Sequence, residues 1–243
     1  RLITVITDYV VHSVWVTSET DGYVVGAPET KMSLIRRKVP EENIHLFGIP
    51  VDPVFEEEKD RITLSRTLGF PLGRFTVLVA SGGFGVGPIE QLVVRLLQNE
   101  RLYLLVVCGH NRHLYERLKL RTMHALGRIA LFGFVNNMDA LMSVSDCMVS
   151  KSGGLTMSEA LTKRLPTFIL YPIPGQEQGN RDLLVHHGVA LPARHFGELE
   201  RAFQDIDRLR ERLETVRERI DTFLKRQSAR RIAEWACQVR QDR

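Results

Sequence analysis

From residue 75 onwards, short uninterrupted apolar runs alternate with longer segments in which apolar residues recur at a helical period. The apolar runs predict buried β-strands at 75–80, 102–108, 129–132, 147–149 and 167–170. The remaining segments predict α-helices at 88–99, 111–124, 138–143, 155–163 and 176–187, followed by a long charged helical region from 198 to the end. Strands that alternate with helices are typical of βαβ units. The pattern therefore predicts an α/β fold with a parallel sheet covered by helices on both faces.

The N-terminal part of the chain has a sparser pattern. Short β-rich runs at 2–6, 23–26 and 44–47 predict strands, and only 29–38 has the composition of a helix. One helix cannot cover both faces of a parallel sheet. The chain also begins at Arg1, with neither a Met nor a signal-peptide pattern. We therefore expect this part to be the remnant of a larger domain whose first elements lie upstream.

Proline and glutamate residues mark a boundary between these two parts. Pro50, Pro53 and a run of three Glu fall within 48–58, which predicts a linker that leaves a sheet. A helix is predicted next, at 61–68. The sequence thus predicts three parts, which are a remnant domain at 1–56, a linker and helix at 57–72, and a larger α/β domain with C-terminal helices at 73–243.

Composition excludes several classes of protein. Charged residues make up 26% and hydrophobic residues 44% of the chain, as in soluble globular proteins. The longest apolar run, 102–108, is much shorter than the roughly 20 residues of a membrane-spanning helix. Three scattered cysteines are too few for a disulfide framework, which favours a reducing cytoplasm. The net charge of +4 is spread among alternating acids and bases, so we expect no nucleic-acid partner.

Ligands of parallel sheets bind where strands end and loops lead into helix N-termini. The loop at 81–87 is rich in glycine, and we expect Gly83 and Gly85 to bring backbone amides close to an anion. Its G-x-G-x-G spacing is not the dinucleotide fingerprint, and no acid ends the following strand to bind a ribose. An NAD-dependent oxidoreductase is therefore disfavoured, and a tight turn without a ligand remains an alternative.

A second loop, 150–156, runs from a strand into a predicted helix that carries Glu159. Small residues such as Ser152 and Gly154 leave backbone amides unpaired at the helix start, where the helix dipole favours a phosphate. Glu159 follows within the first turns, so its carboxylate can accept two hydrogen bonds from a ribose diol. The alternative is a simple capping box formed by Thr156 and Glu159.

Two further loops offer groups for a hydroxyl-rich ligand and for a base. Gln176 and Asn180 share one face of a predicted helix, and Glu177 lies beside them. Their amides and carboxylate can hold adjacent hydroxyls, although a solvated, capped helix start is the alternative. In the loop at 133–138, the backbone around Val135 can pair with the edge of a base.

Two patterns that suggest metal sites are discounted. Asp205-Ile206-Asp207 matches the D-x-D pattern of metal-dependent sugar transferases, but it lies in a charged helical stretch and predicts a solvated face. The eight histidines include no H-x-x-x-H motif, and no pair of cysteines has the spacing of a zinc site. We expect no bound metal.

Several motifs together resemble one family of glycosyltransferases. They are Gly-Phe-Val-x-x-Met at 133–138, Ser-Gly-Gly-Leu-Thr-x-Ser-Glu-Ala at 152–160 and Pro-Gly-Gln-Glu-x-x-Asn at 174–180. These motifs are similar to the donor half of monogalactosyldiacylglycerol synthases, bacterial diacylglycerol glucosyltransferases and the lipid II N-acetylglucosaminyltransferase of peptidoglycan synthesis. Thr-Asp-x-x-x-His-x-x-Trp at 7–15 resembles the glycolipid branch more than the peptidoglycan branch.

The resemblance implies a GT-B fold, in which two Rossmann-like domains face each other across a cleft that holds the nucleotide sugar. It implies that Val135 contacts uracil through its backbone and that Glu159 binds the ribose hydroxyls. Gly154, Leu155 and Thr156 would hold the diphosphate, and Ser152 in the loop before them is a further donor-binding candidate. The residues that would face the donor hexose are Gln176, Glu177 and Asn180.

The resemblance further implies an inverting transfer that needs neither a cofactor nor a catalytic metal, with a UDP-hexose as the donor. The hexose would be glucose or galactose. The acceptor would be diacylglycerol or a glycosyl-diacylglycerol, and the protein would be peripheral on the inner face of the cell membrane. Direct displacement needs a base on the acceptor side, and Asp8 and His12 are the candidates in this chain. A structural role at a strand end is the alternative for each.

Two other functions remain open. The same loops would support transfer of N-acetylglucosamine from UDP to a peptidoglycan lipid intermediate. If the acceptor half is incomplete, the chain would instead be a UDP-sugar-binding fragment without catalysis. In that case we expect it to bind a UDP-sugar and to transfer little of the sugar to a lipid.

Overall fold

The computed structural model describes residues 2–80, 82 and 88–241. Within these residues, the N-terminal unit is a parallel sheet of three strands, β1 (Ile3–Val5), β2 (Gly22–Val24) and β3 (Ile44–His45), in the order β1-β2-β3. Helix α1 (Pro28–Arg36) connects β2 to β3. The strands and the helix lie where the apolar runs and the helical composition predict them.

The larger unit contains a second parallel sheet, with six strands in the described part of the chain. The strands are β4 (Phe75–Ala80), β5 (Leu102–Val107), β6 (Ile129–Phe132), β7 (Cys147–Ser150), β8 (Thr167–Leu170) and β9 (Leu191–Ala193). Their order is β6-β5-β4-β7-β8-β9. Strands β5 and β6 lie on one side of β4, and the later strands β7, β8 and β9 lie on its other side. The switch point of the sheet is therefore between β4 and β7. Loops that follow strands at such a switch point form a crevice in which ligands bind.

Helices pack against both faces of this sheet. They are α2 (Arg61–Thr67), α3 (Ile89–Leu96), α4 (Arg112–Arg121), α5 (Met138–Val144), α6 (Gly154–Thr162), α7 (Gln176–His186), α8 (Phe196–Gln204) and α9 (Ile206–Phe223), after which the chain continues into α10 (Ser228–Gln241). All residues of β4 and β5 are buried. Val77 of β4 points into one apolar cluster and its neighbour Leu78 into another, so the sheet has a core on each face. The predicted α/β fold is confirmed.

The sequence pattern missed two features of the C-terminal part. Strand β9 escapes prediction because it is short and contains Pro192, which lies on an edge strand that pairs with β8 alone. The charged helical region is three helices rather than one. Asp205 separates α8 from α9 and caps α9 by accepting a hydrogen bond from the Arg208 amide at 3.1 Å. Gln227, at a φ of 57°, separates α9 from α10.

Both the linker and the last helix connect the two units. In the linker, the Glu57 carbonyl accepts a hydrogen bond at 2.7 Å from Lys163 at the end of α6, and Lys59 forms an ion pair with the buried Asp139. Helix α10 returns to the N-terminal sheet, where the Trp235 ring lies 4.1 Å from the His45 ring. The division of the chain at residue 57 remains a prediction.

Candidate functional site

The carboxyl ends of β4, β7 and β8 surround a cleft at the switch point. Its lining includes Ala80, Ile89, Ser150, Lys151 and Tyr171. The cleft therefore lies among the loops in which the sequence predicts a nucleotide site. Gly83 and Gly85, which the sequence assigns to the anion site, lie outside the described residues.

Among the described residues, no side chain caps the start of α6. The helix begins at Gly154, and its N-cap is Gly153, with φ −61° and ψ 132°. The first amide that bonds to a backbone carbonyl at this end is that of Met157, which donates to the Gly153 carbonyl at 2.9 Å. The amides that precede it form the positive end of the helix dipole, where an anion is favoured. Because Thr156 lies inside the helix and not at its N-cap, the capping-box interpretation is wrong.

Glu159 lies one to two turns further along α6 and is half-buried. Burial raises the pKa of its carboxyl group to about 7. Among the residues that the structure describes, none donates a hydrogen bond to this carboxylate or pairs with it. A carboxylate that is desolvated and has no protein partner can be stabilised by hydroxyl donors of a ligand.

Ser152 and Glu177 join the loop before α6 to the start of α7. The Ser152 hydroxyl is fully buried and donates to the Glu177 carbonyl at 2.6 Å. The Glu177 carboxylate accepts the Ile173 amide at 2.8 Å and lies 3.4 Å from the Lys151 ammonium. Glu177 therefore orders its own loop and holds Lys151 at the cleft. The sequence did not single out Lys151, although a cation in the predicted phosphate loop was a usable signal.

Gln176 and Asn180 have different environments in the structure. Gln176 is half-buried at the first position of α7. Asn180 is fully buried, and its amide bonds to the Tyr9 backbone, to Asp8 and to the Ser152 carbonyl. The predicted contacts of both residues and of Glu177 with a donor hexose remain predictions. Both side-chain N–H groups of Asn180 are already donated, so a hexose hydroxyl would have to donate to its oxygen or replace a present partner.

The two candidate bases lie on the loop after β1. One Asp8 carboxylate oxygen accepts a hydrogen bond from the Asn180 side chain at 2.6 Å, which holds Asp8 near the start of α6. His12 is exposed, and its Nδ1 accepts the Val14 amide at 3.3 Å. When neutral, His12 then carries its proton on Nε2. The role of either residue as a base remains a prediction.

The loop predicted to contact a base follows β6. Val135 is half-buried against one of the apolar clusters, and the neighbouring Phe134 ring stacks on His110 at 4.4 Å between ring centroids. His110 follows β5, so the stacked rings join the loops after β5 and β6 at the same edge of the sheet as α6. This placement is compatible with the predicted contact of the Val135 backbone with uracil, which remains a prediction.

In the described parts of the chain, no group of three or more His, Cys, Asp or Glu side chains is close enough to hold a metal ion. Asp205 acts as a helix cap, and Asp207 forms an ion pair with Arg101 at 3.1 Å. Of the described helices, none is long and apolar enough to cross a membrane.

The fold is shared with glycosyltransferases of the GT-B type. MurG of Acinetobacter baumannii superposes with a TM-score of 0.70 at 15% identity, over 96% of this chain and 65% of that protein. HepE of Anabaena, crystallised in complex with UDP, gives 0.63 at 14% identity, over 98% of this chain and 72% of that protein. These similarities confirm the fold that the motifs imply.

The sequence families agree with the fold. Residues 1–51 match monogalactosyldiacylglycerol (MGDG) synthase, and residues 76–234 match the glycosyltransferase family 28 C-terminal domain. The second match covers more than half of the chain. The protein therefore belongs to the family defined by the glycosyltransferase family 28 C-terminal domain, and the resemblance of its motifs is confirmed.

Among curated relatives, the processive diacylglycerol beta-glucosyltransferase of Bacillus subtilis (strain 168) is 29% identical over 196 residues, which are 80% of this chain and 51% of that protein. The enzyme of the same name from Bacillus cytotoxicus is 32% identical over 197 residues, which are 80% of this chain and 50% of that protein. The chain thus spans about half the length of these relatives.

Proposed function

We propose that the protein transfers a hexose, glucose or galactose, from a UDP-sugar to diacylglycerol or a glycosyl-diacylglycerol, with inversion at the anomeric carbon. Membership of the family and the names of the relatives support glycosyl transfer to this class of lipid. The observation that carries the proposal is that, in the described part of the chain, no side chain caps the helix start at Gly154 and no group pairs with the nearby Glu159 carboxylate. These two groups match the charge and the hydroxyls of a nucleoside diphosphate.

In this proposal, the donor lies along the start of α6. The amides of Gly154, Leu155 and Thr156 bind the diphosphate, because they point at the ligand and the helix dipole favours its charge. Glu159 accepts hydrogen bonds from both ribose hydroxyls. The charged carboxylate forms stronger hydrogen bonds than a neutral acceptor would, which offsets the cost of its burial.

The same helix start stabilises the leaving group. As the bond between the hexose and UDP breaks, negative charge develops on the β-phosphate, and fixed amides at that point lower the barrier without a metal ion. Lys151 adds a positive charge at the cleft, where Glu177 holds it. We infer that these groups together do the work that a divalent cation does in metal-dependent transferases.

Inversion requires a base that takes the proton of the acceptor hydroxyl as that hydroxyl attacks C1. Asp8 is the better placed of the two candidates, because its contact with Asn180 holds it beside the start of α6. One of its carboxylate oxygens accepts from Asn180, and the other is available for the acceptor proton. His12 would serve as a base through Nδ1 only after releasing the Val14 amide.

The acceptor determines where the reaction takes place. Diacylglycerol remains in a bilayer, so a protein that uses it must come to the membrane surface. We propose that the protein is peripheral on the inner face of the cell membrane, where UDP-sugars are available.

A transfer assay tests the proposal. Protein that includes any residues encoded upstream of Arg1 is incubated with vesicles containing diacylglycerol and with radiolabelled UDP-glucose, UDP-galactose or UDP-N-acetylglucosamine. We expect labelled glycolipid from one of the two hexoses and loss of that product in Glu159→Ala. Two results would overturn the proposal. One is labelling only from UDP-N-acetylglucosamine onto a polyprenyl-linked peptidoglycan precursor, and the other is no transfer from any donor.

A further inference from the structure

A short segment of the N-terminal unit, Thr7–Val10, inserts between the starts of α6 and α7. A Cβ atom added to Gly154 would lie 1.9 Å from the Thr7 carbonyl oxygen, and one added to Gly179 would lie 2.8 Å from the Val10 side chain. Both glycines therefore allow a close approach that no larger residue permits. The segment contacts both helices of the proposed donor site at their N-terminal ends.

The Asn180 side-chain amide fixes this segment in place as both acceptor and donor. Its side-chain oxygen accepts the Tyr9 amide at 2.8 Å. Its side-chain nitrogen donates to Asp8 at 2.6 Å and to the Ser152 carbonyl at 3.0 Å. A single buried side chain on α7 thus bonds both to the inserted segment and to the loop that leads into α6.

A second connection reaches α6 directly. The Ser158 hydroxyl donates to the Gly154 carbonyl at 2.8 Å, so the Tyr9 hydroxyl, 2.9 Å away, is the donor to Ser158. Burial raises the pKa of Tyr9, which keeps this hydroxyl protonated. Ser158 immediately precedes Glu159. The inserted segment is therefore bonded to the turn of α6 that carries the proposed ribose ligand.

We infer that Asn180 and Tyr9 are positioning residues of the donor site. They set the distance between the starts of α6 and α7, and thereby the affinity for the UDP part of the donor. The inference rests on the proposed function, since it assigns UDP to the start of α6. With these roles, Thr7–Val10 becomes part of the nucleotide site, although it follows β1 of the N-terminal sheet and the rest of the site belongs to the six-stranded sheet.

The side chains of Asn180, Tyr9 and Ser158 are all buried and hydrogen-bonded. Removal of the Asn180 amide leaves the Tyr9 amide and the Ser152 carbonyl without partners in a dry interior, which is unfavourable unless the backbone moves. A displacement of α6 by a fraction of an ångström would misalign amides that must bind one diphosphate together. UDP affinity is therefore expected to fall even when neither residue touches UDP.

Calorimetry with UDP and with UDP-glucose separates positioning from direct contact with the sugar. If Asn180 positions α6, Asn180→Ala in the full chain weakens both ligands by the same factor, about tenfold. If Asn180 instead contacts only the hexose, UDP-glucose weakens and UDP binds as in the wild type, which would overturn the inference. Thermal unfolding without ligand confirms that the variant is folded at the temperature of the titration.

Tyr9→Phe gives an independent test that keeps the ring and the backbone. We expect UDP affinity to fall about threefold to tenfold, and we expect no further fall when Tyr9→Phe is combined with Ser158→Ala. Tyr115→Phe, on α4, is the matched control and should bind UDP normally. If wild-type protein binds UDP and Tyr9→Phe binds it equally well, the inference fails and the proposed function stands. If wild-type protein binds no UDP, the proposed function itself fails.

Discussion

The backbone amide of Tyr9 donates to the side-chain oxygen of Asn180 at 2.8 Å, although 171 positions separate the two residues. Tyr9 follows the first strand of the small sheet, and Asn180 lies near the start of α7. The hydrogen bond therefore ties the N-terminal unit to the proposed donor site. A change at this contact is expected to affect both the stability of the chain and the geometry of the site.

Gly154→Ala tests how closely the two units pack. The added Cβ atom would meet the Thr7 carbonyl at 1.9 Å and the Asp8 carboxylate at 2.9 Å, so one backbone must shift. We expect the free energy of unfolding to fall by about 1–3 kcal/mol, as is typical of overpacking. Urea denaturation measures this free energy of unfolding.

The neighbouring Gly153 provides a control for that measurement. A Cβ atom there meets no atom of the described residues within 4 Å, and the backbone has a φ of −61° that alanine adopts readily. Gly153→Ala should cost less than about 1 kcal/mol. Equal losses in the two variants would contradict the packing described at Gly154.

Most of the fold could be predicted from the sequence because its strands are continuous apolar runs. Strands such as β4 are buried on both faces, so their whole length is marked by hydrophobic residues. Prediction failed where a local signal was weak. Strand β9 has only three residues, one of them Pro192, and Asp205 resembles any other acid of a charged helix until its capping contact is seen.

The candidate site was predictable to the extent that its groups belong to one loop and the helix that follows. The loop into α6 and Glu159 are close in sequence, so their proximity in space follows from helix geometry. The contacts of Asn180 could not be predicted in this way, because its partners Asp8 and Tyr9 belong to another sheet. The burial that raises the pKa of Glu159 also depends on packing that a motif does not specify.

Asp146 is expected to be important for stability and not for ligand binding. It is buried at the start of β7, accepts two hydrogen bonds from Arg61 at 2.8 Å and accepts the Thr76 amide at 2.7 Å. Asp146→Ala should lower the free energy of unfolding by about 1–3 kcal/mol, because it leaves the buried Thr76 amide without its partner, while the half-exposed Arg61 can be hydrated. The exposed pair of Asp207 with Arg101 is the control, and Asp207→Ala should cost less than about 1 kcal/mol.

Removal of divalent cations should leave transfer unchanged. The amides at the start of α6 supply the positive potential that the departing UDP requires. The measurement is the rate of glycolipid formation before and after treatment with EDTA. Loss of turnover that Mg²⁺ or Mn²⁺ restores would mean that a metal ion accompanies the diphosphate.

The affinity for UDP-glucose should depend on pH through Glu159. Burial raises the pKa of this carboxyl group to about 7, and only its charged form binds the ribose hydroxyls well. Binding must then release a proton below that pKa, so the affinity should rise about fivefold to tenfold between pH 6 and pH 8. UDP-glucose is the suitable ligand because its diphosphate does not titrate in this range. Glu159→Gln should remove the dependence, and a wild-type affinity that falls with rising pH would contradict this role of Glu159.

The most direct test of the account is the affinity of the chain for UDP-glucose with and without the Glu159 carboxylate. At pH 8, calorimetry should show that Glu159→Ala weakens binding by roughly 1.5–3 kcal/mol, the loss expected for hydrogen bonds to a charged group. Glu218→Ala, on the exposed face of α9, should bind as the wild type does. Unchanged affinity in a folded Glu159→Ala variant, or wild-type protein that binds ADP and GDP as tightly as UDP, would contradict the assignment of this site to a UDP-sugar.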